Sequence, residues 1–211
     1  TSSASTGNLW STGATTPSIV VIASGTYTVT QTQLGCTSPA ASISITVNPI
    51  PPAPVVTANG PTTFCAGGSV SLTSTSGSTY TWAPGAGSTQ SINASTSGSY
   101  TVQITDINGC LSPSSNAIAV TVNPLPPAPT ITANGPTTFC AGGSVMLSAP
   151  LSQSYLWMPG NLTTQDITVN SPGTYTLQIT DLNGCVSPVS NSTTIVVNPI
   201  PSAPTINPSG P

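Results

Sequence analysis

The chain has 211 residues, contains no Lys, Arg, His or Glu, and carries a formal net charge of −3 from three aspartates. Lys and Arg supply the affinity of proteins for phosphate backbones, so this composition excludes nucleic acid as a partner. No apolar stretch approaches the roughly 18–20 residues of a membrane-spanning helix, so we expect no membrane insertion. Hydrophobic residues make up 36% of the chain, which favours a folded protein, and the abundance of Ser, Thr, Val, Gly and Pro favours strands and turns. We therefore expect an all-β protein.

An internal repeat organises the chain. The string TANGPTTFCAGGSV at residues 57–70 recurs unchanged at residues 132–145. A Trp and a Cys further along each copy are also 75 positions apart, as Trp82 and Trp157 and as Cys110 and Cys185. A fixed period of this length predicts tandem structural modules of about 75 residues.

Proline-rich segments of the type P-x-P-x-A-P, each preceded by Asn, mark the boundaries between the copies. Proline fixes φ, so these segments are predicted to be semi-rigid linkers. They divide the chain into four parts: 1–48, the C-terminal part of a truncated repeat; 49–123 and 124–198, two full repeats; and 199–211, a linker with the start of a further repeat. We expect this chain to be an internal piece of a longer protein.

Strands within each repeat are indicated by alternating apolar and small polar residues, and turns by N-G and A-G-G motifs. Six or seven short strands of this kind predict tandem immunoglobulin-like β-sandwich modules. Trp82 and Trp157 each follow a Tyr by two positions on a predicted strand, which is typical of core tryptophans. Stacking on sugars is the alternative. Tyr100 and Tyr175 follow a glycine at the start of a strand and resemble the tyrosine corner of such sandwiches.

Acidic residues offer little chemistry. Asp106 and Asp181 lie in D-x-N-G-C motifs, where a calcium site would need six to eight oxygens and usually several carboxylates. An Asx turn is the preferred interpretation. Asp166 has no second carboxylate with which to form an acid–base pair, and without His or Lys no Ser, Thr or Cys can be activated as a nucleophile. We expect no enzyme activity, no cofactor and no metal site.

The motifs C-A-G-G-S-V-x-L, Y-T-W, G-x-Y-T-V-Q-I-T-D-x-N-G-C and N-P-x-P follow one another in this order. This pattern resembles the immunoglobulin-like repeats, akin to polycystic-kidney-disease-type (PKD-like) modules, of giant cell-surface adhesins and gliding or filament proteins of Bacteroidetes. The resemblance implies an extracellular structural protein exported by the type IX pathway, with copies of itself in a filament or bundle as partners. A module that binds glycans or a surface, and a spacer in a secreted enzyme, stay open as alternatives.

Cysteines are the informative residues: Cys36, Cys65, Cys110, Cys140 and Cys185. Two per full repeat predict disulfides and therefore an oxidising, extracellular compartment. Within-repeat pairs, Cys65–Cys110 and Cys140–Cys185, fit the count and leave Cys36 over. In a sandwich, however, the two turns concerned lie at opposite ends, about 20 Å apart, whereas a disulfide spans at most about 7 Å between Cα atoms. Repeats stacked end to end would bring Cys65 near Cys185. We favour this inter-repeat pairing, and the within-repeat pairing stays open.

Overall fold

A computed structural model describes residues 1–85 and 87–206 of the chain. The last part of the predicted segment 199–211, from position 207 onward, lies outside the described residues.

Within the described residues every regular element is a β-strand, and none of them forms a helix that could cross a membrane. The predicted all-β class is confirmed. The strands are β1 Asn8–Trp10, β2 Gly25–Gln33, β3 Cys36–Thr37, β4 Ala41–Ile45, β5 Val56–Ala58, β6 Thr63–Cys65, β7 Val70–Ser74, β8 Thr79–Ala83, β9 Ser91–Ala94, β10 Gly98–Thr105, β11 Ile118–Asn123, β12 Thr132–Ala133, β13 Thr138–Cys140, β14 Val145–Ser148, β15 Ser154–Met158, β16 Asp166–Val169, β17 Gly173–Thr180 and β18 Thr193–Asn198.

Contacts between residues divide the chain into two compact units. The first comprises Thr1–Val56, Ser74–Gln90 and Thr101–Ala117, and the second comprises Thr57–Thr73, Ser91–Tyr100 and Ile118–Pro211. Each unit combines separate segments of the chain, so the units are not the predicted repeats. The repeat boundaries stay a prediction.

In the first unit, β2 is the centre of a sheet and pairs antiparallel with β1, β3 and β4. Trp10 lies opposite Val29 in this sheet and is buried. Elsewhere in the same unit, β8 pairs antiparallel with the second half of β10, where Trp82 lies opposite Val102 and both are buried. The same tryptophan position is thus buried on a strand in both parts of this unit.

In the second unit, β12 to β18 form two sheets with the orders β12-β14-β16 and β13-β18-β17-β15. The short strand β13 runs parallel to β18, whereas the other pairs are antiparallel. Apolar side chains from both sheets form one core, with Leu147, Trp157 and Leu177 almost completely buried. An immunoglobulin-like sandwich has strands A, B and E in one sheet and strands C, F and G in the other. Here β12, β14 and β16 correspond to A, B and E, and β15, β17 and β18 correspond to C, F and G, with β13 added beside β18.

The strands of residues 56–123 repeat this order as β5-β7-β9 and β6-β11-β10-β8. Sequence dictates the pattern because alternate residues of a strand face opposite sides. In β10 the buried residues are Tyr100, Val102 and Ile104. An immunoglobulin-like fold, expected from the sequence, is therefore the fold of this protein.

Candidate functional site

A disulfide joins Cys65 to Cys185, with an S–S distance of 2.01 Å and 5.5 Å between the Cα atoms. One cysteine belongs to the sequence copy at 49–123 and the other to the copy at 124–198. Cys185 is completely buried. Cys36, Cys110 and Cys140 are free thiols. Of the two pairings considered from the sequence, the structure contains the bond between copies and neither bond within a copy.

The backbone around Cys65 is fixed by a short parallel strand pair and a glycine turn. Cys65 ends β6 and lies opposite Asn123 of β11, whose carbonyl oxygen accepts the N–H of the residue after Cys65 at 2.8 Å. The N–H of Gly68 then donates to the carbonyl oxygen of Cys65 at 3.0 Å. Gly67 has a φ of 93°, in the left-handed region, and a Cβ on Gly68 would come 3.2 Å from the Cys65 oxygen. The motif C-A-G-G is needed for this turn because glycine alone adopts it without strain.

Cys185 is held by the carboxylate of Asp181. One carboxylate oxygen, Oδ1, accepts the N–H groups of Asn183 at 2.9 Å and of Cys185 at 2.8 Å. In return, the N–H of Asp181 donates to the carbonyl oxygen of Cys185 at 3.0 Å. This is an Asx turn, the arrangement expected for the D-x-N-G-C motif. Its effect is to aim the Cys185 side chain by fixing the backbone on both sides of the loop.

A second element behind Cys185 was missed from the sequence. Ser187 and Ser190 are buried polar residues, and their Oγ atoms accept the N–H groups of Ile179 at 3.1 Å and Leu177 at 2.9 Å on β17. The N–H of Ser187 donates to the carbonyl oxygen of Ile179 at 2.9 Å. The signal that could have revealed this support is the motif S-P-x-S-N, which follows the Cys at 112–116 and again at 187–191.

The equivalent loop at Asp106 has the same hydrogen bonds. The N–H of Cys110 donates to Asp106 Oδ1 at 2.8 Å and is the main reason why the pKa of the Asp106 carboxyl lies below its ordinary value. Hydrogen bonds from Asn108 act in the same direction. Asp166, at the start of β16, is exposed. Across the described residues, no group of three or more His, Cys, Asp or Glu residues is arranged to hold a metal ion.

The aromatic residues of the predicted core lie inside and have polar partners. Trp82 and Trp157 are 2% and 0% exposed, and each indole N–H donates to a backbone carbonyl seven residues later at 2.9 Å. Tyr100 and Tyr175 are buried, and each hydroxyl donates to the carbonyl oxygen four residues upstream, at 3.0 and 3.2 Å. These are the hydrogen bonds of a tyrosine corner. With their faces packed inside, these side chains offer no stacking surface.

Comparisons with known proteins add little to these observations. No protein-family model matches the chain, and no curated protein matches it. Among solved structures, the human OSCAR ligand-binding domain is similar at 18% identity and a TM-score of 0.30, covering 69% of this chain and 99% of that one. Murine CEACAM1b is similar at 14% identity and a TM-score of 0.35, covering 69% of this chain and 100% of that one. Similarity this low carries no argument about function, and the fold assignment depends on the strand orders described above.

Proposed function

We propose that this chain is a stretch of structural repeats from an extracellular filament or giant surface adhesin, in which immunoglobulin-like modules provide length and rigidity. The observation that carries the proposal is the Cys65–Cys185 bond, because it joins two successive copies of the repeated sequence covalently. In a fibre under tension, such a bond would carry load in parallel with the Pro-rich linker that begins at Pro124.

The amino-acid composition supports the same role. With no Lys and no Arg, the surface offers no cleavage site to proteases specific for basic residues. Strand edges without Lys lack the charges that usually prevent edge-to-edge pairing. Copies of this chain are therefore the proposed partners, assembled end to end or in lateral bundles. The disulfide fits an oxidising compartment, and we propose that the protein works outside the cell.

Two other roles belong to different classes. A glycan- or surface-binding module requires exposed aromatic side chains at equivalent positions of each copy, whereas Trp82 and Trp157 are buried with their indole N–H groups bonded. A spacer in a secreted enzyme would use the same modules and would differ only in what they connect. The binding module is therefore less well supported than a filament, whereas a spacer is equally compatible with a covalent bond between copies and is distinguished from a filament by what the modules connect.

Cryo-electron microscopy of the native material tests the proposal. Continuous fibres with density that repeats once per 75 residues of chain are the expected result. Short rods that end on a globular domain would overturn the filament and favour a spacer. Binding of the chain to a glycan array, with loss of binding when a single aromatic side chain is removed, would instead favour the binding module.

A further inference from the structure

Cys140 is a free thiol, but its strand pairing, backbone hydrogen bonds and following turn match those of bonded Cys65. Cys140 ends β13 and lies opposite Asn198, as Cys65 ends β6 and lies opposite Asn123. The next N–H donates to the Asn198 carbonyl oxygen at 2.8 Å, which matches the 2.8 Å at Asn123. The turn that follows also matches, since Gly142 has a φ of 92° and the N–H of Gly143 donates to the Cys140 oxygen at 2.9 Å.

Cys110 is a free thiol, but it makes the same hydrogen bonds to the preceding aspartate as bonded Cys185. The N–H of Cys110 donates to Asp106 Oδ1 at 2.8 Å, and the Cys110 carbonyl oxygen accepts the N–H of Asp106 at 3.1 Å. The same two bonds join Cys185 and Asp181 at 2.8 and 3.0 Å. The bonded and free cysteines differ in their exposure to solvent. Cys185 is completely buried beside its partner, whereas Cys110 is partly exposed and Cys140 is exposed.

We propose that Cys140 and Cys110 each form a further disulfide of the Cys65–Cys185 type, with Cys140 in the role of Cys65 and Cys110 in the role of Cys185. Cys140 bonds the D-x-N-G-C cysteine of a repeat that follows it, and Cys110 bonds the F-C-A-G-G cysteine of a repeat that precedes it. The partner is thus another repeat with this sequence pattern, and the inference rests on the proposed function. Because the two halves differ, the contact is heterologous, and one repeat can be bonded both to a repeat before it and to a repeat after it.

The chemistry needs an external oxidant. Two thiols lose two protons and two electrons when the S–S bond forms, and a small-molecule disulfide such as oxidised glutathione accepts them and is reduced to two thiols. Exchange proceeds through a mixed disulfide, which requires an accessible thiol. Cys140 is the accessible half and is expected to react first.

Cys36 is left out of the proposal because its loop has another shape. Cys36 pairs directly with Gln33 across a two-residue turn, in which Leu34 and Gly35 have φ values of 52° and 80°. No aspartate holds its backbone, since the stretch QTQLGC lacks the D-x-N-G sequence. The Asx hydrogen bonds thus separate Cys36 from Cys110 and Cys185, and the proposal covers only the cysteines whose loops have them.

The test extends the chain by one repeat. Residues 1–198 are followed by a second copy of residues 124–211, refolded in a glutathione redox buffer and digested with chymotrypsin without reduction. Mass spectrometry is expected to find Cys140 linked to the duplicated Cys185, and thiol titration to find three free thiols, the same number as in the original chain. Five free thiols, or Cys140 linked to the original Cys185, would overturn the proposal.

Controls separate this outcome from a folding failure. The Cys65–Cys185 bond in the same molecule reports that the chain has folded, so its presence together with a free Cys140 counts against the proposal. Cys140→Ser in the extended chain is expected to leave the duplicated Cys185 as a fourth thiol. If native fibres are observed but this bond does not form, the proposed filament function is retained and the proposed further disulfides are wrong.

A second extension tests Cys110. Residues 124–147 are joined in front of Thr1, so that Trp10 follows the junction at the spacing of Trp157. The added F-C-A-G-G cysteine is expected to bond Cys110 and to leave Cys36 as a thiol. A bond from the added cysteine to Cys36 would show that the Asx hydrogen bonds do not select the partner.

Discussion

Cys65 and Cys185 are separated by 120 positions in the sequence, yet their Cα atoms are 5.5 Å apart and their sulfur atoms are bonded. Two other cysteines, Cys110 and Cys140, lie between them in the chain and remain free. Proximity in sequence therefore does not decide which cysteines are bonded.

Mechanical stretching of a single molecule is expected to reveal this bond as hidden length. The disulfide encloses about 120 residues, so the unfolded chain cannot extend through that loop while the bond is intact. Because an extended chain spans about 3.3–3.6 Å per residue, reduction should add about 400 Å to the contour length. Force spectroscopy with and without a reducing agent measures the difference.

The matched control is the double variant Cys65→Ser with Cys185→Ser, which is expected to show the full length without reductant. Its thermal unfolding should also begin at a lower temperature, because the loss of chain entropy on closing a loop of this size is worth about 5 kcal/mol. Equal contour lengths in oxidised and reduced wild-type protein would contradict the prediction.

How far the sequence predicts the fold can be judged from particular residues. Alternation and the 75-residue period suffice to place Trp82 and Trp157 on strands, because strand residues alternate between faces and the repeat doubles the signal. Composition alone suffices to predict the all-β class. Neither inference requires knowing which distant residues are in contact.

The disulfide could not be decided in this way, because two cysteines per repeat fit either pairing. What decides it is β6, a strand of three residues that the alternation pattern did not indicate. This strand ends at Cys65 and pairs parallel with β11. A strand so short has no periodicity to detect, and its parallel partner lies more than 50 residues further along the chain.

Truncation of a buried leucine should destabilise the protein far more than truncation of an exposed one nearby. Leu177 is 1% exposed and Leu182 is 88% exposed. Leu177→Ala is expected to lower the free energy of unfolding by about 2–5 kcal/mol, since it leaves a cavity in the core. Leu182→Ala should change it by less than about 0.5 kcal/mol. Chemical denaturation measures both, and similar losses would mean that β17 does not face the core described.

Removal of the Ser187 hydroxyl should weaken the loop that holds Cys185. Ser187→Ala leaves the N–H of Ile179 without one acceptor in a buried position, which costs about 1–3 kcal/mol. Ser192→Ala, at an exposed position, is the matched control and should be nearly neutral. Beyond stability, the Ser187 variant should form the Cys65–Cys185 bond more slowly during refolding. Unchanged stability and an unchanged rate of bond formation would exclude the support assigned to this serine.

Stability should fall at acidic pH. The chain contains no His, Lys, Arg or Glu, and the N–H of Cys110 keeps the pKa of the Asp106 carboxyl below its ordinary value near 4. A carboxyl whose pKa is lower in the folded state stabilises the protein above the unfolded-state pKa, and this stabilisation is lost as the pH falls through the folded-state pKa. The melting temperature is therefore expected to be flat from pH 5 to pH 8 and to fall below about pH 4. In Asp106→Asn, which cannot titrate at this position, the acidic fall should be smaller, whereas an identical pH profile would mean that the hydrogen bond from Cys110 contributes nothing.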